Sequence, residues 1–98
     1  RSFIRNFSNV IILLELRRRA LGGHDIISCI QNKFQVTLSP STVYSSLYSL
    51  EKNGFVKGRY LCRKKVYAIT DKGKKMADKF LNMKDIFLET VMKLFDEE

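Results

Sequence analysis

Apolar residues recur every three or four positions in three stretches of the chain, and this spacing is typical of helices with one buried face. The first stretch predicts a helix from Phe3 to Arg19, and the second predicts a helix from about His24 to Gln35, after a break at Gly22-Gly23. The third predicts a helix from Pro40 to Asn53. Between the second and third helices, Val36 to Leu38 is a short extended segment that could pair with a later hairpin.

The third predicted helix carries signals for both of its ends. Ser39 can cap its start, Pro40 fits the first helical position, and Gly54 can adopt the left-handed conformation that ends a helix. One face is apolar and is predicted to be buried, with Val43, Leu47 and Leu50 at helical spacing. The opposite face presents small hydroxyls and a tyrosine, at Ser41, Thr42, Ser45, Ser46, Tyr48 and Ser49.

Two strand-like runs and one long helix follow. Phe55 to Leu61 and Lys65 to Ile69 contain β-forming residues, and Cys62 to Lys64 lies between them as the turn of a hairpin. Thr70 is predicted to cap a final helix of about 25 residues. The apolar residues of that helix cover more than the stripe that one small domain can bury, so a homodimer is expected. The predicted dimer contacts are Phe80, Met83, Phe87, Val91, Leu94 and Phe95.

The net charge of +8 and the sequence pI of about 9.7 make a polyanion the expected partner, and nucleic acid is the commonest one. The alternative is a basic surface that is merely solvated. Four of the cations, Arg59, Arg63, Lys64 and Lys65, lie in the predicted hairpin, directly after the hydroxyl-rich helix. A groove-binding helix beside a cationic hairpin is typical of proteins that bind duplex DNA.

The order of elements therefore predicts a mainly α protein with a small β-hairpin, an α+β fold of the winged helix-turn-helix type with a long C-terminal dimerisation helix. Residues 1–70 would form the DNA-binding domain and residues 71–98 the dimerisation helix, within a single compact domain overall. The predicted DNA contacts are Ser39, Ser41, Thr42, Tyr44, Ser45, Tyr48, Ser49, Arg59, Arg63, Lys64 and Lys65.

Hydroxyls can bond almost any base or phosphate, so we expect modest direct readout, with DNA shape contributing. The ring of Tyr44 is expected to be half buried, with its hydroxyl free for a phosphate, and Tyr48 is expected to be more exposed. The alternative is that both rings pack against neighbours in a dimer or in the hairpin.

Three motifs resemble those of PadR-like regulators. The run from Ser39 to Val56 is similar to their Ser-Pro, Thr-Leu-Tyr and Leu-Glu-x-x-Gly-Leu-Ile pattern, and Arg63 to Gly73 is similar to Arg-Lys-x-Tyr-x-Leu-Thr-x-x-Gly. Gly23 to Ile26 resembles Gly-Tyr-x-Ile, with histidine at the usual tyrosine position. The resemblance implies a dimeric transcriptional regulator, usually a repressor, that binds an inverted-repeat operator through Tyr44 and the wing. The family often has Lys or Arg at the positions of Tyr48 and Ser49.

The residues do not indicate an enzyme, a metal site or a cofactor. His24, Cys29 and Cys62 are scattered in the sequence, and they match neither zinc spacing nor a nucleophile with its base. Cys29 is expected in the core and Cys62 at the exposed tip of the hairpin. A cytoplasmic, nucleoid-associated location is the simplest expectation, and a small-molecule effector is possible but not indicated. Two alternative functions remain open: a nonspecific architectural DNA-binding protein of the chromatin type, and a winged-helix module that binds other proteins.

Overall fold

The computed structural model of the protein describes residues 2–35 and 37–96, with side chains from residue 7 onward within those ranges. The described residues form four helices and three strands, in the order α1 (Ser2–Arg18), β1 (Leu21–Gly22), α2 (Gly23–Phe34), α3 (Pro40–Lys52), β2 (Val56–Leu61), β3 (Lys64–Ile69) and α4 (Asp71–Asp96). This confirms the predicted mainly α fold with a small β-hairpin. The first three helices and the sheet surround one core.

The core lies where α1, α2 and α3 meet the inner face of the sheet. Ile12, Ile26 and Leu47, one from each of these helices, have no exposed surface. Burying a side chain of this size stabilises the fold by about 1.5–3 kcal/mol. Leu21, Val56 and Tyr67 close the core from the sheet side. The helical apolar spacing in the sequence thus identified the faces that are buried.

The sheet is antiparallel, with strand order β1-β3-β2. The prediction that residues 36–38 pair with the hairpin is wrong, because residues 37 and 38 lie outside any strand and residue 36 lies outside the described residues. The third strand is Leu21–Gly22 instead, with Leu21 opposite Tyr67 and Gly22 opposite Val66. A strand of two residues is too short to produce an alternating pattern, so the sequence predicted only a break there.

The ends of α3 are built as predicted. The backbone N–H of Thr42 donates to Ser39 Oγ at 3.2 Å, and Pro40 occupies the first turn. After the helix, Gly54 has φ +80°, the left-handed region that favours glycine. Capping of this kind contributes about 1 kcal/mol and fixes where the helix begins.

The first turn of α4 is tied to the sheet through Thr70. Thr70 Oγ1 accepts the backbone N–H of Gly73 at 3.1 Å and lies 2.6 Å from the carbonyl oxygen of Gly54. Gly73 and Ala77 are buried against the rest of the protein. The predicted cap at Thr70 is therefore confirmed, and it fixes the direction in which α4 leaves the core.

Beyond residue 81, α4 extends away from the core, and the described residues measure 55 Å along their longest axis. Large apolar side chains in this part are mostly exposed: Met83, Ile86, Phe87, Leu88, Met92, Leu94 and Phe95. Phe80 and Val91, two of the predicted dimer contacts, are half-buried. No described helix combines the length and the apolar character that crossing a membrane requires.

Candidate nucleic-acid interface

Most residues of the polar face of α3 that were predicted to contact DNA are exposed. Ser41, Ser45 and Tyr48 point to solvent, and Tyr48 is 69% exposed. Thr42 and Ser49 are half-buried at the edges of this face. The result is a surface of short polar side chains on which a helix backbone can approach another molecule closely.

Ser46 does not belong to that face, and its predicted exposure is wrong. Its side chain is fully buried, and its Oγ lies 2.7 Å from Ser8 Oγ of α1. Ser46 falls at the same helical spacing as Val43 and Leu50, so it lies within the apolar stripe of α3. A buried hydroxyl needs a hydrogen-bond partner, and Ser8 supplies one from another helix.

Three hydroxyls cluster at the start of α3. Ser39 Oγ lies 2.8 Å from Thr42 Oγ1 and 3.2 Å from Ser41 Oγ. The cluster sits at the positive end of the helix dipole, where anions are favoured. The Ser39 hydroxyl therefore caps the helix, and the hydroxyls of Ser41 and Thr42 still have capacity to bond a further acceptor or donor.

Tyr44 connects α3 to the first turn of α2. A Cβ atom added at Gly23 would lie 2.5 Å from Tyr44 Cε1 and 2.6 Å from its hydroxyl, so only glycine permits this approach of the ring. Tyr44 remains 46% exposed, so it is more exposed than the half-buried ring that was predicted. The contact fixes where its hydroxyl lies relative to α2.

The wing is the hairpin of β2 and β3, and its turn consists of Cys62 and Arg63 alone. These residues have φ +49° and +70°, the left-handed pair of a tight hairpin turn. The sequence placed Lys64 in the turn as well, but Lys64 is the first residue of β3 and pairs with Leu61. Neither Cys62 nor Arg63 is a usual residue for this turn, so its length could not be predicted from the residue types. Cys62 is exposed, as predicted.

The four wing cations that were predicted to contact DNA differ in their surroundings. Lys64 Nζ lies 2.8 Å from Asp25 Oδ2 in the first turn of α2. Arg59 and Arg63 have no ion pair with any described residue. The hydrogen bond from Lys64, followed by the electrostatic attraction of its charge, lowers the pKa of Asp25 below its usual value.

Lys65 is held by α3. Its Nζ lies 3.4 Å from Glu51 Oε1, while Glu51 Oε2 accepts the backbone N–H of Gly58 in β2 at 3.1 Å. The pKa of Lys65 is raised, mainly by electrostatic interaction with Tyr67, with a further contribution from Glu51. Sequence reasoning missed Asp25 and Glu51, because nothing local in the sequence pairs them with the wing.

These elements enclose a cleft of about 400 Å³ between the start of α2, α3 and the wing. Its lining includes Gly23, His24, Tyr44, Tyr60 and Arg63. Basic and hydroxyl groups thus converge on one side of the molecule, as binding to a phosphate backbone requires.

The described part of the chain holds no group of three His, Cys, Asp or Glu side chains that could bind a metal. Cys29 is half-buried against the core, and its Sγ lies 3.6 Å from Arg19 Nη2. The candidate functional site among the described residues is the surface formed by α3 and the wing. Its hydroxyl and cationic side chains are suited to binding a nucleic acid rather than to catalysis.

A three-helix core with a β-hairpin beside an exposed third helix defines a winged helix-turn-helix protein. Within that class, the chain belongs to the PadR-like family of transcriptional regulators, whose sequence model matches residues 12–79. Members of this family are regulators and not enzymes. No curated protein matches the sequence.

Solved structures agree with this assignment. A transcriptional regulator from Clostridium thermocellum is 28% identical, with a TM-score of 0.81 over 94% of this chain and 93% of its own. Bacillus subtilis PadR, solved in complex with operator DNA, is 30% identical, with a TM-score of 0.69 over 74% of this chain and 45% of its own. A PadR family regulator from Clostridium difficile is 21% identical, with a TM-score of 0.78 over 91% and 97%, and supports the fold alone.

Proposed function

We propose that this protein is a repressor that binds an inverted-repeat operator in double-stranded DNA as a homodimer. The observation that carries the proposal is the placement of the exposed polar face of α3 next to a cationic wing on one surface. The crystal structure of Bacillus subtilis PadR with operator DNA supports it, since that relative is 30% identical to this chain.

In the proposed complex, α3 enters the major groove. Ser41, Ser45 and Tyr48 face the base edges, while Ser39, Thr42, Tyr44 and Ser49 lie at the margins, near the phosphates. Because hydroxyls discriminate weakly between bases, the sequence dependence of DNA shape contributes to recognition.

The wing adds contacts beside the groove entered by α3. Arg63 lies at the tip of the turn and Arg59 on an exposed part of β2, and neither has an ion pair within the described residues. These two cations are available to phosphates or to the minor groove without the cost of breaking an internal pair.

The second half of α4 supplies the dimer interface. Phe87 is 66% exposed and Phe95 is 73% exposed, on a helix that carries other large apolar side chains in the same state. Such a surface is typical of an interface between protein chains. Two copies related by a two-fold axis place two α3 helices on half-sites one helical turn apart, about 34–36 Å, and the operator is correspondingly palindromic. The protein acts in the cytoplasm, on the nucleoid.

Selection of bound fragments from a genomic DNA library at moderate salt tests the proposal directly. We expect a palindromic consensus and footprints of defined length. Continuous, sequence-independent coverage would indicate an architectural DNA-binding protein instead. If the protein binds no DNA but binds another protein with an affinity that does not depend on salt, it is a protein-interaction module.

Arg63→Ala tests the wing. We expect the Kd for operator and nonspecific duplex to rise by about tenfold, and the slope of log K against log salt to become shallower by about 0.9, because one phosphate contact is lost. Arg17→Ala is the matched control, since this substitution removes the same charge from a residue outside the wing. Arg17 pairs with Asp78 on α4 at 2.8 Å. Equal effects of the two substitutions on Kd and salt slope would remove the wing tip from the interface.

A further inference from the structure

The first turn of α2 contacts both parts of the proposed DNA surface. The Tyr44 ring of α3 lies over Gly23, and the Lys64 ammonium of β3 lies 2.8 Å from Asp25. The stem of Lys64 also passes over Gly22, where a Cβ atom would lie 2.7 Å from Lys64 Cε. Residues 22–25 thus contact both α3 and the outer part of the wing.

The two lysine pairs of the wing have different surroundings. The side chains of Lys65 and Glu51 are 34% and 35% exposed, and Glu51 also accepts a backbone N–H of the wing, so this pair is part of the packed hairpin base. The side chains of Lys64 and Asp25 are 57% and 43% exposed. Among the described side chains, the Lys64–Asp25 ion pair links the outer part of the wing to the first turn of α2.

We propose that Asp25 is a positioning residue that determines specificity: its carboxylate holds Lys64 as an internal link, so that the wing is pre-oriented and Lys64 does not act as an unpaired cation toward DNA. The proposal rests on the DNA-binding function proposed above. In this proposal Arg63 contacts DNA and Lys64 does not, although both were predicted from the sequence as DNA contacts.

The physical reason is that an unpaired cation favours every duplex, whereas an oriented wing favours only the operator. Nonspecific binding is driven by counterion release and increases with each unpaired Lys or Arg at the surface. A specific complex also needs its groups in fixed positions before binding, since ordering them during association reduces affinity. Pairing Lys64 with Asp25 therefore lowers nonspecific affinity and preserves the geometry of the operator complex.

The test compares operator and nonspecific duplex across a salt series for the full chain. In Asp25→Asn, we expect nonspecific affinity to rise about threefold and the salt slope to steepen by about 0.9, because Lys64 becomes an additional cation. Operator affinity gains less, so the ratio of the two affinities falls severalfold. Asparagine keeps a side-chain oxygen at the start of α2, and the melting temperature verifies that the fold is retained.

Lys64→Met separates the link from a direct contact. Methionine keeps an apolar stem over Gly22 and removes the charge. Because Asp25 is then left as an unpaired anion, we expect nonspecific affinity to fall by about twofold and operator affinity to fall further. The double variant Asp25→Asn/Lys64→Met removes both charges, so its nonspecific affinity and salt slope are expected to match wild type, while its operator affinity stays reduced. Asp78→Asn is the charge-matched control, since Asp78 is 51% exposed and pairs with Arg17 away from the cleft.

Two results would overturn the inference. If the double variant weakens both duplexes equally and makes the salt slope shallower by about 0.9 relative to wild type, Lys64 is itself a phosphate contact. If Asp25→Asn and Asp78→Asn give the same affinities, Asp25 has no role beyond its charge. Wild-type protein that binds neither duplex contradicts the proposed function itself, so the two failures are distinguishable.

Discussion

The two halves of α4 have similar sequence patterns but opposite surroundings. In residues 71–81 the residues in closest contact with the core are the small ones, Gly73 and Ala77, while Phe80 is half-buried. In residues 82–96, Phe87 and other large apolar side chains are mostly exposed. An apolar pattern thus predicts that a helix face needs a partner to bury it. Small residues on that face, such as Gly73 and Ala77, indicate that a neighbouring element packs closely against it.

The largest effect is expected from Gly73→Ala in the first half. A Cβ atom at this position would overlap the carbonyl oxygen of Phe55 and lie 2.6 Å from Ile69 Cγ1. In most helices, alanine is more favourable than glycine by roughly 0.5–1 kcal/mol. Here we expect the free energy of unfolding to fall by about 3 kcal/mol, because backbone atoms would have to move. Chemical denaturation measures this change.

Lys74→Ala is the control for helix propensity, because Lys74 is the exposed neighbour of Gly73 in the same turn. We expect its free energy of unfolding to stay within about 0.5 kcal/mol of wild type. A Gly73→Ala variant as stable as the control would mean that α4 does not lie closely against the sheet.

The next largest effect is expected from Phe87→Asp in the second half. Since Phe87 is 66% exposed in the single chain, its loss should hardly change the stability of the monomer. In a dimer the same residue is buried, and an aspartate there costs about 2 kcal/mol or more, which raises the dimer Kd at least about 30-fold. Sedimentation equilibrium over a range of concentrations measures that constant.

Asn82→Asp is the matched control, since it introduces the same aspartate at an exposed polar position of the same half. We expect it to leave the dimer constant within about threefold, in line with a surface substitution. If both variants sediment like wild type at every concentration, the exposed stripe of α4 is not the dimer interface.

The sequence predicted features that depend on local interactions. Ser39, Gly54 and Thr70 specify helix ends through contacts within a few residues, or through the conformational freedom of glycine, so the bounds of α3 and α4 agree with the structure. The apolar faces of α1 and α3 were also predicted, because helical spacing alone defines them. For the candidate site, the sequence predicted two local features: the polar face of α3 and the basic hairpin that follows it.

What the sequence did not predict depends on contacts between distant residues. The spacing of Ser46 matches the apolar stripe of α3, but its partner Ser8 lies on another helix, and only the structure places the two hydroxyls together. Asp25 looked like a charge that favours the start of a helix, and its pairing with Lys64 spans 39 positions. Strand β1 has two residues and exists only because β3 lies beside it. Periodicity cannot detect such pairs, and they decide which wing cations are unpaired.

The smallest of these effects is expected from Thr70→Val, which tests how much of the anchoring of α4 is polar. Valine keeps the shape of threonine and removes the hydroxyl that accepts the Gly73 N–H and contacts the Gly54 carbonyl oxygen. We expect the free energy of unfolding to fall by about 1–2 kcal/mol, the usual value for a lost helix cap. Thr70→Ser retains the hydroxyl and should recover most of this loss in the same denaturation measurement. If serine is more destabilising than valine, the methyl group of Thr70 matters more than its hydroxyl, and packing rather than hydrogen bonding anchors the first half of α4.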